Sequence, residues 1–374
     1  MSKFVQHASY YIDDKDLSDL FKAQHVAPRF LLKFARRRGL FFSEKSEKDN
    51  LIRALCMAPI SWDDVNVIAE SINTDERDNK QMTTQISGGI DFDGIQPALE
   101  RVKSWLEADR NVPTLTKTSE NTYKLEVRFV ELQPQRTRPL QRVEKQVTVE
   151  LERVGGRLDI RYSEHDHAKE IVRKLVDEIP TKEEKEKSER RVSLWSIRDP
   201  LARIRFFTEL INGVEGFILS GVTDLHLDRR FPVEEDDDID NDDDVASTRT
   251  KEEQLVGLVK HAVLTGDSLL NSEFYLDLRN SGYYIGNIVW TASETGGDQR
   301  QVEFYAGFKD AILATDFVFD IRRIAKRDKD GNYGKAERHQ PVDRPRLLKL
   351  LESAAYESLE RLEKSLMQSA GKRR

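Results

Sequence analysis

Over the first seventy or so residues apolar positions recur at three- and four-residue spacing, the period of helices with one buried face. Asp13-Asp14 can open a helix that carries Leu17, Leu20 and Phe21. Pro28 suits a first helical turn, Leu31, Leu32, Phe34 and Ala35 supply a second apolar face, and Gly39 stops it as a C-terminal glycine does. A third helix is predicted from near Ser46, with Leu51, Ile52 and Leu55, ending before Pro59. Ser61-Trp62-Asp63-Asp64 then reads as an N-cap ahead of Val65, Ile68, Ala69 and Ile72.

The pattern lapses from Thr74 to Asp93, where polar residues and Gly88-Gly89 predict a linker. Helical spacing resumes through Ile95, Leu99, Val102 and Leu106. Two-residue alternation then marks Tyr123 to Val130, Val147 to Glu152 and Arg157 to Tyr162, the last two forming a hairpin across Gly155-Gly156. A helix from about Glu164 to Ile179 follows, and Thr181 to Arg190 carries charges almost alone. Beyond it the pattern predicts a strand over Val192 to Ile197, a helix opened by Asp199-Pro200, a strand from Phe217 to Asp228, and a helix through Leu255, Leu258, Val259, Ala262 and Val263. Strands over Tyr283 to Thr291, Gln301 to Phe308 and Asp316 to Ile324 precede a long amphipathic helix from Arg346 to Met367. The expected fold class is α+β: a small helical domain (1–75), a linker (76–93), an α+β domain (94–180), a charged linker (181–191), and a C-terminal α+β domain (192–370) with an acidic loop at 234–250. Both larger domains are expected to combine antiparallel sheet with helices.

Length supports this division, because 374 residues exceed the roughly 100–200 that one core usually organises. The single cysteine, Cys56, excludes an internal disulfide and a four-cysteine zinc site, and fits a reducing compartment. No signal-peptide pattern opens the sequence, and no run approaches the roughly 18 apolar residues of a membrane span, so the expectation is a cytoplasmic protein without a membrane partner. A net charge of -7 argues against nucleic-acid binding over the whole surface. That sum conceals a polarity: Arg29, Lys33, Arg36, Arg37, Arg38, Lys45, Lys48 and Arg53 crowd one early segment, while Glu234 to Asp244 is an acidic block.

The early segment reads Phe30-Leu-Leu-Lys-Phe-Ala-Arg-Arg-Arg-Gly-Leu40, then Ser43, then Lys48-Asp-Asn-Leu-Ile-Arg-Ala-Leu55. Over residues 29–57 it resembles the SAP motif, a short helix-turn-helix-like DNA-binding module. The shared features are an apolar first helix ending in Arg-Gly-Leu, a Ser or Thr soon after, and a second helix of the Lys-x-x-Leu-Ile-x-x-Leu kind. The resemblance implies weak DNA contact directed at the phosphate backbone, with Arg38, Lys45 and Lys48 at the contacting positions and Gly39, Leu40, Leu51 and Leu55 as scaffold. Here Phe41-Phe-Ser-Glu-Lys-Ser46 replaces the usual glycine-bearing loop. Physically, Lys33, Arg36, Arg37, Arg38, Lys45, Lys48 and Arg53 would act by releasing counterions, giving salt-dependent affinity with little sequence preference. The alternative is that Lys33, Arg36 and Arg37 are the solvated face of an ordinary helix, with Phe41 and Phe42 packed inside or against a partner.

No phosphate-binding glycine loop, nucleophile elbow or His-Glu-x-x-His is present, and no cofactor is expected. In Val222-Thr-Asp-Leu-His-Leu-Asp228, strand alternation would put Asp224, His226 and Asp228 on one face, where a divalent metal could activate water against a phosphodiester. A half-buried strand with a polar outer face explains the same pattern. Glu164-His-Asp-His167 fits a helix start, and Asp328-Lys-Asp-Gly-Asn332 a hairpin turn. The acidic block reads as a solubilising loop, an electrostatic cover for the basic segment, or a docking tract.

Three functions therefore stand: a non-enzymatic DNA-associating or adaptor subunit of a larger nucleic-acid-handling assembly, such as a prokaryotic genome-defence system; a metal-dependent nuclease; and a protein-interaction scaffold. Protein partners or self-association would use surfaces including Trp195, Trp290 and Tyr283-Tyr284, although a core role accounts for these aromatics at least as well.

Overall fold

The computed structural model describes residues 13–22, 26–73, 80–135, 141–181, 187–228, 261–265, 273–296, 300–327, 333–334 and 343–371. It is α+β, with a helical N-terminal region and antiparallel sheet. The chain forms two compact units, one of Met1–Asp78, Asp91–Glu150 and His165–Pro180, the other of Asn79–Ile90, Leu151–Glu164 and Thr181–Arg374.

The first unit begins with four helices, α1 (Asp14–Lys22), α2 (Pro28–Arg37), α3 (Lys48–Cys56) and α4 (Trp62–Asn73). Their apolar stripes close a core of their own, containing Leu20, Phe21, Leu31, Phe34, Leu51, Leu55 and Ile68. Both ends of α2 follow from sequence. Pro28 occupies its first turn, and Gly39, at φ +75°, turns the chain out as no β-carbon-bearing residue does readily. The Leu40 N–H donates to the Ala35 carbonyl at 2.9 Å and the Gly39 N–H to that of Arg36 at 3.1 Å, a complete Schellman stop.

The rest of this unit pairs β2 (Val112–Ser119) with β3 (Thr122–Leu132), and β3 with β4 (Arg142–Val154), whose last four residues lie in the second unit. Alternation holds: Leu125, Val127 and Phe129 are buried along β3, Val147 and Val149 along β4. Helices α5 (Ile95–Ala108) and α6 (Asp166–Glu178) pack on one another and bury Leu99, Val102, Ile171 and Leu175.

The second unit carries a sheet in the order β5 (Arg157–Ser163), β1 (Gln81–Ser87), β11 (Thr315–Ala325), β10 (Gln301–Asp310), β9 (Tyr284–Glu294), β7 (Phe217–Asp228), β8 (His261–Thr265), with β6 (Ser188–Arg190) also on β1. β1 pairs antiparallel with β5, β6 and β11, β10 with β11 and β9, and β7 with β9 and β8. Helix α7 (Pro200–Gly213) packs on β7 and β9 and against the closing helix α9 (Arg344–Gly371), which also meets β11; α8 (Glu273–Asn280) precedes β9. The core is aromatic: Phe206 and Phe207 of α7 meet Phe308, Phe206 also meets Phe317, and Trp290 stacks on Phe304.

Several expectations are corrected. Residues 81–87, expected within a linker over 76–93, are an interior strand in which six consecutive residues are buried. The reason is that β1 is polar yet satisfied: Thr84 donates to Glu189 at 2.9 Å and Thr83 to Glu352, so its alternation carries no hydrophobic signal. Within the charged linker expected over 181–191, residues 188–190 pair with β1. Val192 to Ile197 is a loop rather than a strand, its Leu194 N–H spent on the Ala314 carbonyl at 2.9 Å. Ala262 and Val263 lie in a strand, not a helix, paired with Leu227 and His226. Of the aromatics read as either surface or core, Trp290, Tyr283 and Tyr284 are core, and Trp195 is 61% exposed. The acidic loop at 234–250 and the turn at 328–332 lie outside the described residues.

Candidate nucleic-acid interface

The basic segment is built on α2, the turn that follows it, and α3. Burying Leu31, Leu32, Phe34 and Ala35 drives the intervening positions outward, so Lys33, Arg36, Arg37 and Arg38 are exposed. Lys45 and Arg53 are exposed as well, and Lys48 is half-buried. The seven cations are not equivalent.

Arg38 is committed to the fold. Its Nε donates to Asp64 Oδ1 at 3.1 Å and its Nη2 to Ser61 Oγ at 3.2 Å, with a further contact to Asp64 Oδ2. Ser61 and Asp64 are themselves the capping box of α4: Asp64 accepts the Ser61 N–H at 2.8 Å, and Ser61 Oγ accepts the Asp64 N–H at 3.3 Å. The residue that ends α2 thus ties it to the start of α4. Arg36 reaches Glu44 at 3.4 Å across solvent, a pairing of small worth.

Lys33, Arg37, Lys45, Lys48 and Arg53 have side chains without an ion pair or hydrogen bond to any described residue. Lys33 and Arg37, four apart, share one stripe of α2. Lys48 and Arg53, five apart on α3, lie about 140° from each other around that helix and cannot present one stripe. Arg36 and Arg37 also sit in the last turn of α2, where cations favour the helix dipole, so part of their worth is structural.

The phenylalanine pair divides. Phe42 packs on the helical core, while Phe41 is 82% exposed. Beside Lys33 and Arg37 lies a feature the sequence did not reveal: a hollow between α2 and α4 lined by Phe30, Lys33, Phe34, Arg37 and Val67. Its only signal in sequence is Val67, an apolar residue off the buried stripe of α4.

The Asp224, His226 and Asp228 set does not come together. Asp224 is half-buried with Arg322 3.8 Å away, His226 is exposed, and Asp228 is buried. Shifts of register between Val222 and Asp224, and between His226 and Leu227, break the simple alternation that would have put all three on one face. Among the described residues no group of three His, Cys, Asp or Glu side chains could hold a metal ion. No described helix is long and apolar enough to cross a membrane.

At the start of α6 the cap is an imidazole rather than a carboxylate: His165 Nδ1 accepts the His167 N–H at 3.1 Å. Burial pushes the His165 pKa down against the opposing pull of Glu131. Cys56 is half-buried, and burial followed by Asp14 pushes its thiol up, away from reactivity.

The chain matches no protein-family model and no curated protein sequence.

Proposed function

We propose that this chain is a non-enzymatic DNA-associating or adaptor subunit, whose helical head meets the phosphate backbone weakly while other surfaces engage protein partners. One observation supports the reading above the rest: five cations of one small head, Lys33, Arg37, Lys45, Lys48 and Arg53, have no partner among the described residues. Ordering a cationic side chain on a polyanion releases condensed counterions at each contact, so binding needs no base-specific groups. Arg38, which the SAP resemblance would place on DNA, acts in this reading as the brace that fixes α2 against α4. Trp195, exposed in the loop before α7, is an aromatic that could engage a protein partner.

The test is fluorescence anisotropy of a labelled duplex with the full chain at low salt. Lys33→Gln/Arg37→Gln should weaken binding severalfold regardless of duplex sequence, with the circular dichroism spectrum unchanged. No binding by the unaltered chain, or equal binding by the variant, would refute the reading.

A further inference from the structure

The hollow between α2 and α4 joins two features that backbone contact alone does not require. Three apolar side chains line it, Phe30, Phe34 and Val67, together with the exposed cations Lys33 and Arg37. Phe30 and Phe34 stack nearly parallel, with ring centroids 6.4 Å apart and planes 13° from each other. Phe34 is buried and Phe30 half-buried, so Phe30 presents the aromatic surface with Phe34 fixed behind it, while Val67, 41% exposed, belongs to α4. The space measures about 90 Å³ and opens to solvent, too little for a docking helix and suited to a flat ring resting in its mouth rather than one enclosed by it. The Arg38 brace to Ser61 and Asp64 ties the two helices that form the walls.

We propose that this hollow receives one unstacked base of single-stranded DNA, with Lys33 and Arg37 meeting the phosphates that flank it. The inference rests on the backbone-directed reading above and names the nucleic acid it prefers. The chemistry is that of single-strand platforms: every base has a π-face, so an aromatic wall takes any of them, and neighbouring cations hold the backbone. In a duplex the bases are stacked inside and cannot enter. Lys33 and Arg37 stand one helical turn apart and are unpaired among the described residues, which supplies the charge complementarity for an anionic strand across the mouth.

Three labelled probes of one length separate the possibilities with the full chain: oligo-dT, the same backbone with abasic sites throughout, and a duplex. Oligo-dT should bind about tenfold more tightly than the abasic strand, as one stacked base would provide. Val67→Glu, at an exposed position that need not disturb the core, should lower oligo-dT affinity to the abasic level and leave abasic affinity within twofold after allowance for its charge. Phe30→Ala should do the same, with circular dichroism confirming the fold. Lys33→Gln/Arg37→Gln should weaken all three probes. Equal affinity for oligo-dT and the abasic strand overturns the base-binding proposal while leaving backbone contact standing. Failure of every probe to bind overturns both. Displacement of oligo-dT by an acidic, leucine-bearing peptide that binds more tightly would instead assign the hollow to a protein and overturn the proposal.

Discussion

Arg38, the residue that ends α2, is hydrogen-bonded to Asp64, which shares the capping box of α4 with Ser61, with Nε 3.1 Å from Oδ1. Both side chains are partly screened from water, 31% and 18% exposed, and Ser61 completes the network. An Arg in the middle of a basic run therefore does structural work that its neighbours do not.

Replacing Arg38 by Ala should loosen the head by about 1 kcal/mol, the upper range for a partly exposed pair. Asp64→Ala should cost more, about 1–2 kcal/mol, because the capping bonds go with it. Arg38→Lys should recover only part, since an ammonium cannot reproduce the guanidinium fork. Amide hydrogen exchange in α2 and α4 reads these effects locally, where a global melt of a two-unit chain would not. Arg38→Ala that kept full protection yet lost DNA affinity would show the brace to be incidental.

A buried ion pair in the second unit makes a sharper stability test. Arg161 Nη1 lies 3.1 Å from Glu352 Oε2, both nearly enclosed, and Glu352 also accepts a hydrogen bond from Thr83 of β1. Glu352→Ala should destabilise by about 3–5 kcal/mol, because it removes the carboxylate that faces a nearly enclosed guanidinium and accepts from Thr83. Arg161→Met/Glu352→Leu should restore most of that loss. A single variant within 1 kcal/mol of the unaltered chain would mean that water reaches Arg161.

These contacts explain what the sequence concealed. Helix α2 was legible because Pro28 and Gly39 state its ends through backbone chemistry alone. Strand β1 was not, because Gln81, Thr83, Thr84 and Gln85 are polar yet buried, with Thr83 and Thr84 satisfied by Glu352 and Glu189 from distant parts of the chain. Val192 and Leu194 are buried, but in a loop whose backbone bonds to Ala314 rather than to a ladder. Outward placement of Lys33 and Arg37 was readable from helical spacing. The diversion of Arg38 to Asp64, and the hollow, needed tertiary structure.

His165 supplies a pH dependence. Its Nδ1 must be unprotonated to accept the His167 N–H, and burial holds its pKa below the free value of about 6.5. Between the lowered folded pKa and the unfolded one the unfolded chain binds more protons, so stability rises with pH. The contribution is full above about pH 6.5 and falls away below it, through the folded pKa. His165→Asn, which caps without titrating, should flatten that part of the stability profile, measured by urea denaturation between neutral and mildly acidic pH. An unchanged profile would assign the acid sensitivity elsewhere.

The ionic-strength dependence of duplex binding bears most directly on the role given to the head. If Lys33, Arg37, Lys45, Lys48 and Arg53 each neutralise a phosphate, log affinity should fall against log salt with a slope of about -4 to -5, and each Gln substitution should make it shallower by about 0.9. A slope near zero, or one that survives the five substitutions together, would contradict the assignment of these side chains to DNA.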